Sequence, residues 1–322
     1  MICKNLFAAS TLCFMALFAA PAGAAFPDHP IDIVVPFSPG GGTDQISRSI
    51  AEGMSESLQQ PVVVLNKPGA GTIIGTGYVA RSKPDGYTLL MATFAHAVNP
   101  ALHKDLPYST DQDFAPVALV GTSPNVLVVN SKSPYKTVKG IVDYARANPG
   151  KLTFGSYGTG TSAHLAGALF GNLAGIEMTH VPYKGSSPAI TDLLGGQIDM
   201  VFSTAASVAQ YVASGQLRAV AVTSKKRASA YAGVPTIAES GLPAYEAESW
   251  YGVFAPKGTP ADVIQKLNAA VAQAVKSPAF QQRIEQEGLA PYTGQPQNLQ
   301  TYVAKEEQRW RQVVQDARIT LE

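Results

Sequence analysis

Phe37-Ser38-Pro39-Gly40-Gly41-Gly42-Thr43-Asp44 follows the apolar run Ile31 to Val35 and leads into a segment with Ile46, Ile50, Met54 and Leu58 at intervals of four. An apolar run, a glycine-rich turn and a four-spaced apolar stripe read as strand, loop and amphipathic helix. The pattern recurs at Asn66-Lys67-Pro68-Gly69-Ala70-Gly71-Thr72, between a strand over Pro61 to Leu65 and a helix over Gly71 to Arg81, and a third strand spans Thr88 to Thr93. The opening third is therefore expected to be β-α-β-α-β with a parallel sheet. Such sheets bind ligands outside the carboxyl ends of their strands, where both glycine turns lie. Glycine, lacking Cβ, lets the backbone approach a ligand, and a helix starting just behind it aims unpaired N–H groups and a positive dipole end at the same spot. Both turns read as cradles for a carboxylate or a phosphate.

The middle of the chain repeats this logic. Val126 to Val129 is expected as a strand, Thr137 as the cap of a helix carrying Val138, Ile141 and Ala145, and Leu152 to Phe154 as a strand feeding a third glycine turn, Gly155 to Ser162. A helix over Ala163 to Leu173 follows, then a strand over Thr179 to Val181, the turn Pro182-Tyr183-Lys184-Gly185, and a helix holding Ile190, Leu193 and Leu194. Strands over Ile198 to Phe202 and Leu217 to Val222 complete a second α/β unit. After the turn-rich stretch from Ser224 to Pro243 come the apolar segment Trp250 to Ala255 and helices starting near Pro260, Pro278 and Asn298. Thr259 and Ser277 are expected as N-caps, each with proline at the first helical position.

Residues 1–24 have the features of a secretory signal peptide: Lys4, an apolar run from Leu6 to Ala20, and Ala22-Gly23-Ala24 as the small-residue cleavage pattern. Pro21 ends the run before the roughly 18 to 20 apolar residues a membrane span needs, and the mature chain is expected to start at Ala25 or Phe26. Both cysteines, Cys3 and Cys13, fall in this leader, so the exported chain is expected to lack thiols and disulfides. Without Lys4 the 24 basic residues become 23, equal to the 23 acidic ones, which argues against nucleic acid or an anionic membrane surface as partner. The length of 322 residues and a 46% hydrophobic composition supply material for two cores.

Enzymatic motifs fit poorly. Gly155 to Ser162 has the glycine spacing of a phosphate-binding loop, but Thr161 stands where its lysine belongs. Gly69, Gly71 and Gly75 miss the dinucleotide fingerprint by one residue. Ser162 and His164 lie two apart on a helix and so point about 200° from each other; Ser162 reads as a helix cap and His164 as a polar residue of the first turn. No histidine pair has metal-ligand spacing, and neither metal nor cofactor is expected.

Five motifs carry a resemblance: Pro36 to Asp44, Asn66 to Gly71, Ser82-Lys83-Pro84-Asp85-Gly86-Tyr87-Thr88, Val181 to Gly185, and Pro235-Thr236-Ile237-Ala238-Glu239-Ser240-Gly241. Together, and in this order, they resemble the Bug family, the substrate-binding receptors of tripartite tricarboxylate transporters. The resemblance implies a periplasmic two-domain clamshell of the Venus-flytrap, type II-like kind, each domain a sheet flanked by helices. It implies that residues 25–125 and 250–322 form domain I and residues 126–249 domain II. It also implies delivery of an organic acid to integral-membrane transporter subunits, here by a monomer without turnover. Thr72-Ile73 stands where family members often have two small residues.

On that reading the ligand lies between the turns. Phe37, Ser38, Gly40, Gly41, Thr43, Asp44, Gly71, Thr72 and Thr93 are the candidates from one side, and Ser156, Gly160, Thr161, Ser162, His164, Tyr183 and Gly185 those from the other. Asp44 is expected to orient its loop or to read a hydroxyl or amine, since it repels a carboxylate. Phe37, Phe94, Tyr183 and Trp250 are aromatic candidates for stacking. The alternative is an exported enzyme acting on a carboxylate or phosphate ester, with Lys184 or His164 in an acid/base role.

Overall fold

The computed structural model describes residues 26–316 and residue 319, so the leader expectation lies outside the described residues. The first half begins β1 (Ile31–Val35), α1 (Gly42–Leu58), β2 (Val62–Asn66), α2 (Ile73–Ala80), β3 (Thr88–Thr93), α3 (Phe94–Leu102) and β4 (Phe114–Asn130). It continues with α4 (Val138–Ala147), β5 (Thr153–Ser156), α5 (Ser162–Ala174), β6 (Thr179–Pro182) and α6 (Ser186–Leu194). The chain then runs β7 (Met200–Thr204), α7 (Ala205–Ala213), β8 (Leu217–Val222) and β9 (Glu248–Pro256). It ends in α8 (Ala261–Lys276), α9 (Pro278–Glu287), β10 (Ala290–Pro291) and α10 (Pro296–Asp316).

The apolar stripe of α1 explains the first layer. Ile46, Ile50 and Met54 are fully buried, each stabilising the fold by about 1.5–3 kcal/mol. Gly53 lets α8 come close, because a Cβ there would lie 2.7 Å from the Cα of Ala274. Beneath these helices β1 pairs in parallel with β2 and β3, as the β-α-β-α-β pattern requires.

The strand order is β2-β1-β3-β9-β4-β7-β5-β6, with β8 and β10 also pairing to β4. β4 is the 17-residue spine. From Phe114 to Pro124 it pairs antiparallel with β9, and from Asn125 to Asn130 with β7 and β8. The strand expected to start at Val126 thus starts twelve residues earlier, at Phe114. Pro116 and Pro124 break the strand pattern in sequence, and the ladder absorbs Pro116 by shifting register between Pro116 and Ala118. On the far side β5 pairs in parallel with β6 and β7. One lobe therefore gathers around β1–β3 and β9, the other around β5–β8, with β4 running through both.

Local signals fared unevenly. Thr137 caps α4 by accepting the Gly140 N–H at 3.1 Å, and Ser277 caps α9 by accepting the Phe280 N–H at 3.2 Å. Thr259 does not cap α8: its hydroxyl donates to the Pro256 carbonyl at 2.8 Å, and Pro260 takes the cap position. The helices α3 and α7 were not expected, because each follows a strand without an intervening turn. Phe94 and Trp250 are core residues, Phe94 packing edge-on against Trp310 at 4.6 Å and Trp250 against Tyr302 at 5.9 Å, so neither is free to stack on a ligand.

Candidate functional site

Three helices, α1, α6 and α7, start at one place. Gly41, Gly42 and Thr43 at the head of α1, Ser186 at the head of α6, and Thr204 and Ser207 at the head of α7 bound a single cavity, with Phe37 and Tyr157 as its aromatic wall. All eight lining residues are uncharged. The positive ends of three helix dipoles thus meet among hydroxyls, an arrangement that favours an anion without a neutralising cation. The cavity measures about 10 Å³, room for one water at most.

The lobes touch directly around it. The Gly42 N–H donates across to Ser207 Oγ at 2.9 Å, and Ser207 Oγ is 2.9 Å from Thr204 Oγ1 and 3.1 Å from Ser186 Oγ. At the rim, both the N–H and the hydroxyl of Ser38 donate to the Lys184 carbonyl, at 3.3 and 2.8 Å. Glycine makes this approach possible: a Cβ on Gly41 would stand 2.5 Å from Ser186 Oγ, and one on Gly71 would run into the Thr159 carbonyl. The turn holding Gly71 is left-handed throughout, with φ of 128° at Gly69, 46° at Ala70, 58° at Gly71 and 84° at Thr72. For the β-branched Thr72 this conformation is strained, and Asn99 Nδ2 holds the turn through the Gly71 carbonyl and Thr72 Oγ1, both at 3.3 Å.

Asp44 is buried beside the cavity but its carboxylate is committed to its own loop. It accepts the Gly40 N–H at 2.9 Å, Arg48 Nε at 3.0 Å and Asn66 Nδ2 at 2.9 Å. Burial pushes its pKa up, yet the bonds from Arg48, Gly40 and Asn66 outweigh burial and hold the carboxyl below its ordinary value. The loop is ordered by this charge, and the charge is neutralised where it stands.

The third glycine turn is built on buried polar groups. Tyr157 donates its hydroxyl to Asn125 Oδ1 and accepts the Thr204 N–H, both at 2.9 Å, tying the cavity wall to β4 and α7. Ser162 also donates to Asn125 Oδ1, at 3.3 Å, and Thr161 donates to the Gly158 carbonyl at 2.6 Å. The cap of α5 is Thr161 rather than Ser162, and no side-chain capping bond forms. His164 lies in the first turn of α5, as expected, and it is buried: its Nδ1 accepts the Gly160 N–H at 3.2 Å, and its ring stacks 4.2 Å from that of His180. Burial, with His180 adding to it, lowers the His164 pKa to about 3, and burial lowers that of His180 to about 4. The Ser/His pair that forms is Ser156 with His180, at 2.6 Å, and Ser156 is wholly enclosed.

Of the sequence-derived candidates, Phe37, Gly41 and Thr43 line the cavity. Ser38, Gly40, Gly71, Gly160 and Gly185 lie where the lobes meet, Gly40 next to Ser187, Gly160 next to Asn99 and Gly185 next to Ser38. Thr93 is buried at the start of α3, and Tyr183 turns its hydroxyl to Asp192 at 2.7 Å. Sequence reasoning missed Gly42, Tyr157, Ser186, Thr204 and Ser207, which also line the cavity. A signal existed for two of them: Ser203-Thr204-Ala205-Ala206-Ser207 puts hydroxyls at a strand end, where this architecture places ligands.

Residues 46–319 match the family model of the tripartite tricarboxylate transporter family receptor. The chain is 44% identical to a UPF0065 protein in the tcbD-tcbE intergenic region of Pseudomonas sp. (strain P51), over 92% of this chain and 88% of that protein. It is 38% identical to protein BugT of Bordetella pertussis, over 95% and 96% of the two chains. Among solved structures, the periplasmic binding protein BugD superposes with a TM-score of 0.89 at 35% identity, covering 92% of this chain and 100% of that one. R. palustris Rpa4515 with adipate gives 0.88 at 36% identity over 92% and 99%, and MatC (Rpa3494) from Rhodopseudomonas palustris with bound malate gives 0.86 at 32% over 90% and 100%.

Proposed function

This chain belongs to the tripartite tricarboxylate transporter receptor family, and from that premise we propose that it is a periplasmic receptor that closes two domains around a small organic acid. The observation that carries the reading is the meeting of three helix N-termini at one uncharged, hydroxyl-lined cavity between the lobes. A carboxylate there accepts bonds from N–H and hydroxyl donors, each worth about 1.5–3 kcal/mol to a charged group. Adipate and malate, held by two solved relatives, are both aliphatic diacids and name the first ligands to try. Domain I comprises residues 25–125 and 250–322, domain II residues 126–249; the change of partner along β4 at Pro124 and Asn125 supports this division. The receptor is exported by a leader cleaved so that the mature chain starts at Ala25 or Phe26, works as a monomer, and hands its ligand to membrane transporter subunits without converting it.

A thermal-shift and calorimetry panel of the mature protein against adipate, malate and an aromatic acid tests the reading. At a free ligand concentration of about 100 times Kd, binding adds about 2.7 kcal/mol of stability, a shift of a few degrees for a protein of this size. The acid must be recovered unchanged. No stabilisation by any carboxylate, or consumption of the one that binds, refutes the proposal.

A further inference from the structure

We propose that Ser207 is a closure latch: its hydroxyl takes, from within the chain, the place at the head of α1 that an oxygen of the bound acid takes. The inference rests on the receptor reading above and concerns how that site is regulated. Gly42 is the first residue of α1, so its N–H has no partner within the helix and is among the groups a carboxylate seeks there. In the structure that N–H donates to Ser207 Oγ, 165 residues away in the opposite lobe, at 2.9 Å.

Ser207 can hold this bond because its other valences are also filled. A hydroxyl has one proton and two acceptor sites. Ser207 donates to Ser186 Oγ at 3.1 Å, and accepts from the Gly42 N–H and from Thr204 Oγ1 at 2.9 Å. The set is complete, and Ser186, Thr204 and Ser207 are all buried, at 8%, 4% and 6% exposure, so water competes poorly for these partners. With the latch formed the cavity is about 10 Å³, too small for a diacid. Binding must therefore break the Gly42–Ser207 bond, and the apparent association rate carries the fraction of molecules in which it is broken.

Ser207→Ala separates the latch from the cradle. The substitution removes the hydroxyl but leaves the Gly42 N–H for an incoming carboxylate, while closure alone then buries an unpaired N–H. Small-angle scattering without added acid is expected to show a larger radius of gyration for Ser207→Ala than for the wild type, at an unchanged circular-dichroism spectrum. With saturating adipate or malate the two proteins should scatter alike, and stopped-flow association should be about three- to tenfold faster in the variant. Identical scattering without acid overturns the proposal, as does weaker binding at an unchanged association rate, which makes Ser207 an ordinary ligand contact. If the wild type binds no acid at all, the receptor reading fails, and the scattering comparison still decides the latch.

Discussion

Gly71→Ala tests whether binding depends on the close approach of the two lobes. A Cβ on Gly71 would enter the Thr159 carbonyl of the opposite lobe, inside the 3.0 Å that Cβ contacts essentially never cross. Two costs follow, and they separate. Gly71 has φ of 58°, so alanine pays about 1–2 kcal/mol for the left-handed backbone whether the lobes are open or shut. The clash arises only on closure and, as overpacking, costs about 1–3 kcal/mol, which weakens ligand binding by about 5- to 150-fold. Gly150→Ala is the control, with φ of 71° and nothing within 4 Å of its added Cβ. Denaturant melts should show Gly71→Ala destabilised at least as much as Gly150→Ala, while calorimetry with the identified acid should show a loss of affinity for Gly71→Ala alone. Equal affinities in the two variants would falsify the argument that the Gly71–Thr159 contact belongs to the ligand-binding state.

Two further outcomes follow from the charges near the site. His164 stays neutral in the fold, its pKa lowered from 6.5 to about 3, so the unfolded chain binds a proton that the folded one refuses as pH falls below 6.5. Stability is lost in that window at up to about 1.4 kcal/mol per pH unit. His164→Asn, whose Oδ1 replaces Nδ1 as acceptor for Gly160, should flatten the dependence, narrowing the wild-type loss between pH 6.5 and 4.5 by about 2–3 kcal/mol in urea melts; parallel curves for the two proteins rule the mechanism out. Asp44 has the opposite chemistry, its folded pKa lying below 3.8, so its contribution is present above that pH and fades as pH falls through the folded value. Asp44→Asn should cost about 1.5–3 kcal/mol at pH 7, with the difference from wild type shrinking below pH 3.8; an Asn variant as stable as wild type at neutral pH shows that the carboxylate does not order the Gly40 loop.

Much of the site's frame was legible because its causes are local. The four-spaced stripe of α1, the glycines before it, and the cap at Ser277 each act through residues only a few positions apart, and each appears in the structure. So does the parallel pairing of β1 with β2 and β3, since short connections leave few other topologies. The hydroxyl trio was not legible. The strand-end position of Thr204 and Ser207 marks them only as hydroxyls near a ligand site; Ser186 and Ser207 become neighbours, and Ser207 meets Gly42, only when α6 and α7 pack side by side against the head of α1.

The sequence by itself determined the alternation of strands and helices and the three glycine turns at strand ends, and from these an anionic group on the ligand, carboxylate or phosphate, because backbone freedom and helix dipoles are properties of short segments. The tertiary structure decided what was polar and free and what was polar and already spent. Asp44 reads as orienting its loop or as meeting a hydroxyl or amine of the ligand, and Arg48, Asn66 and the Gly40 N–H commit it to the loop; His164 reads only as a polar residue of the first turn of α5, and the fold buries it with His180 stacked on its ring. Only Val126 to Val129 of β4 reads as a strand in the sequence; the stretch from Phe114 to Pro124, which carries Pro116 and Pro124, becomes strand by pairing with β9, and the rest pairs with β7 and β8. Desolvation and pairing depend on partners far away in the chain, and these set the charge, the reach and the closure of the site.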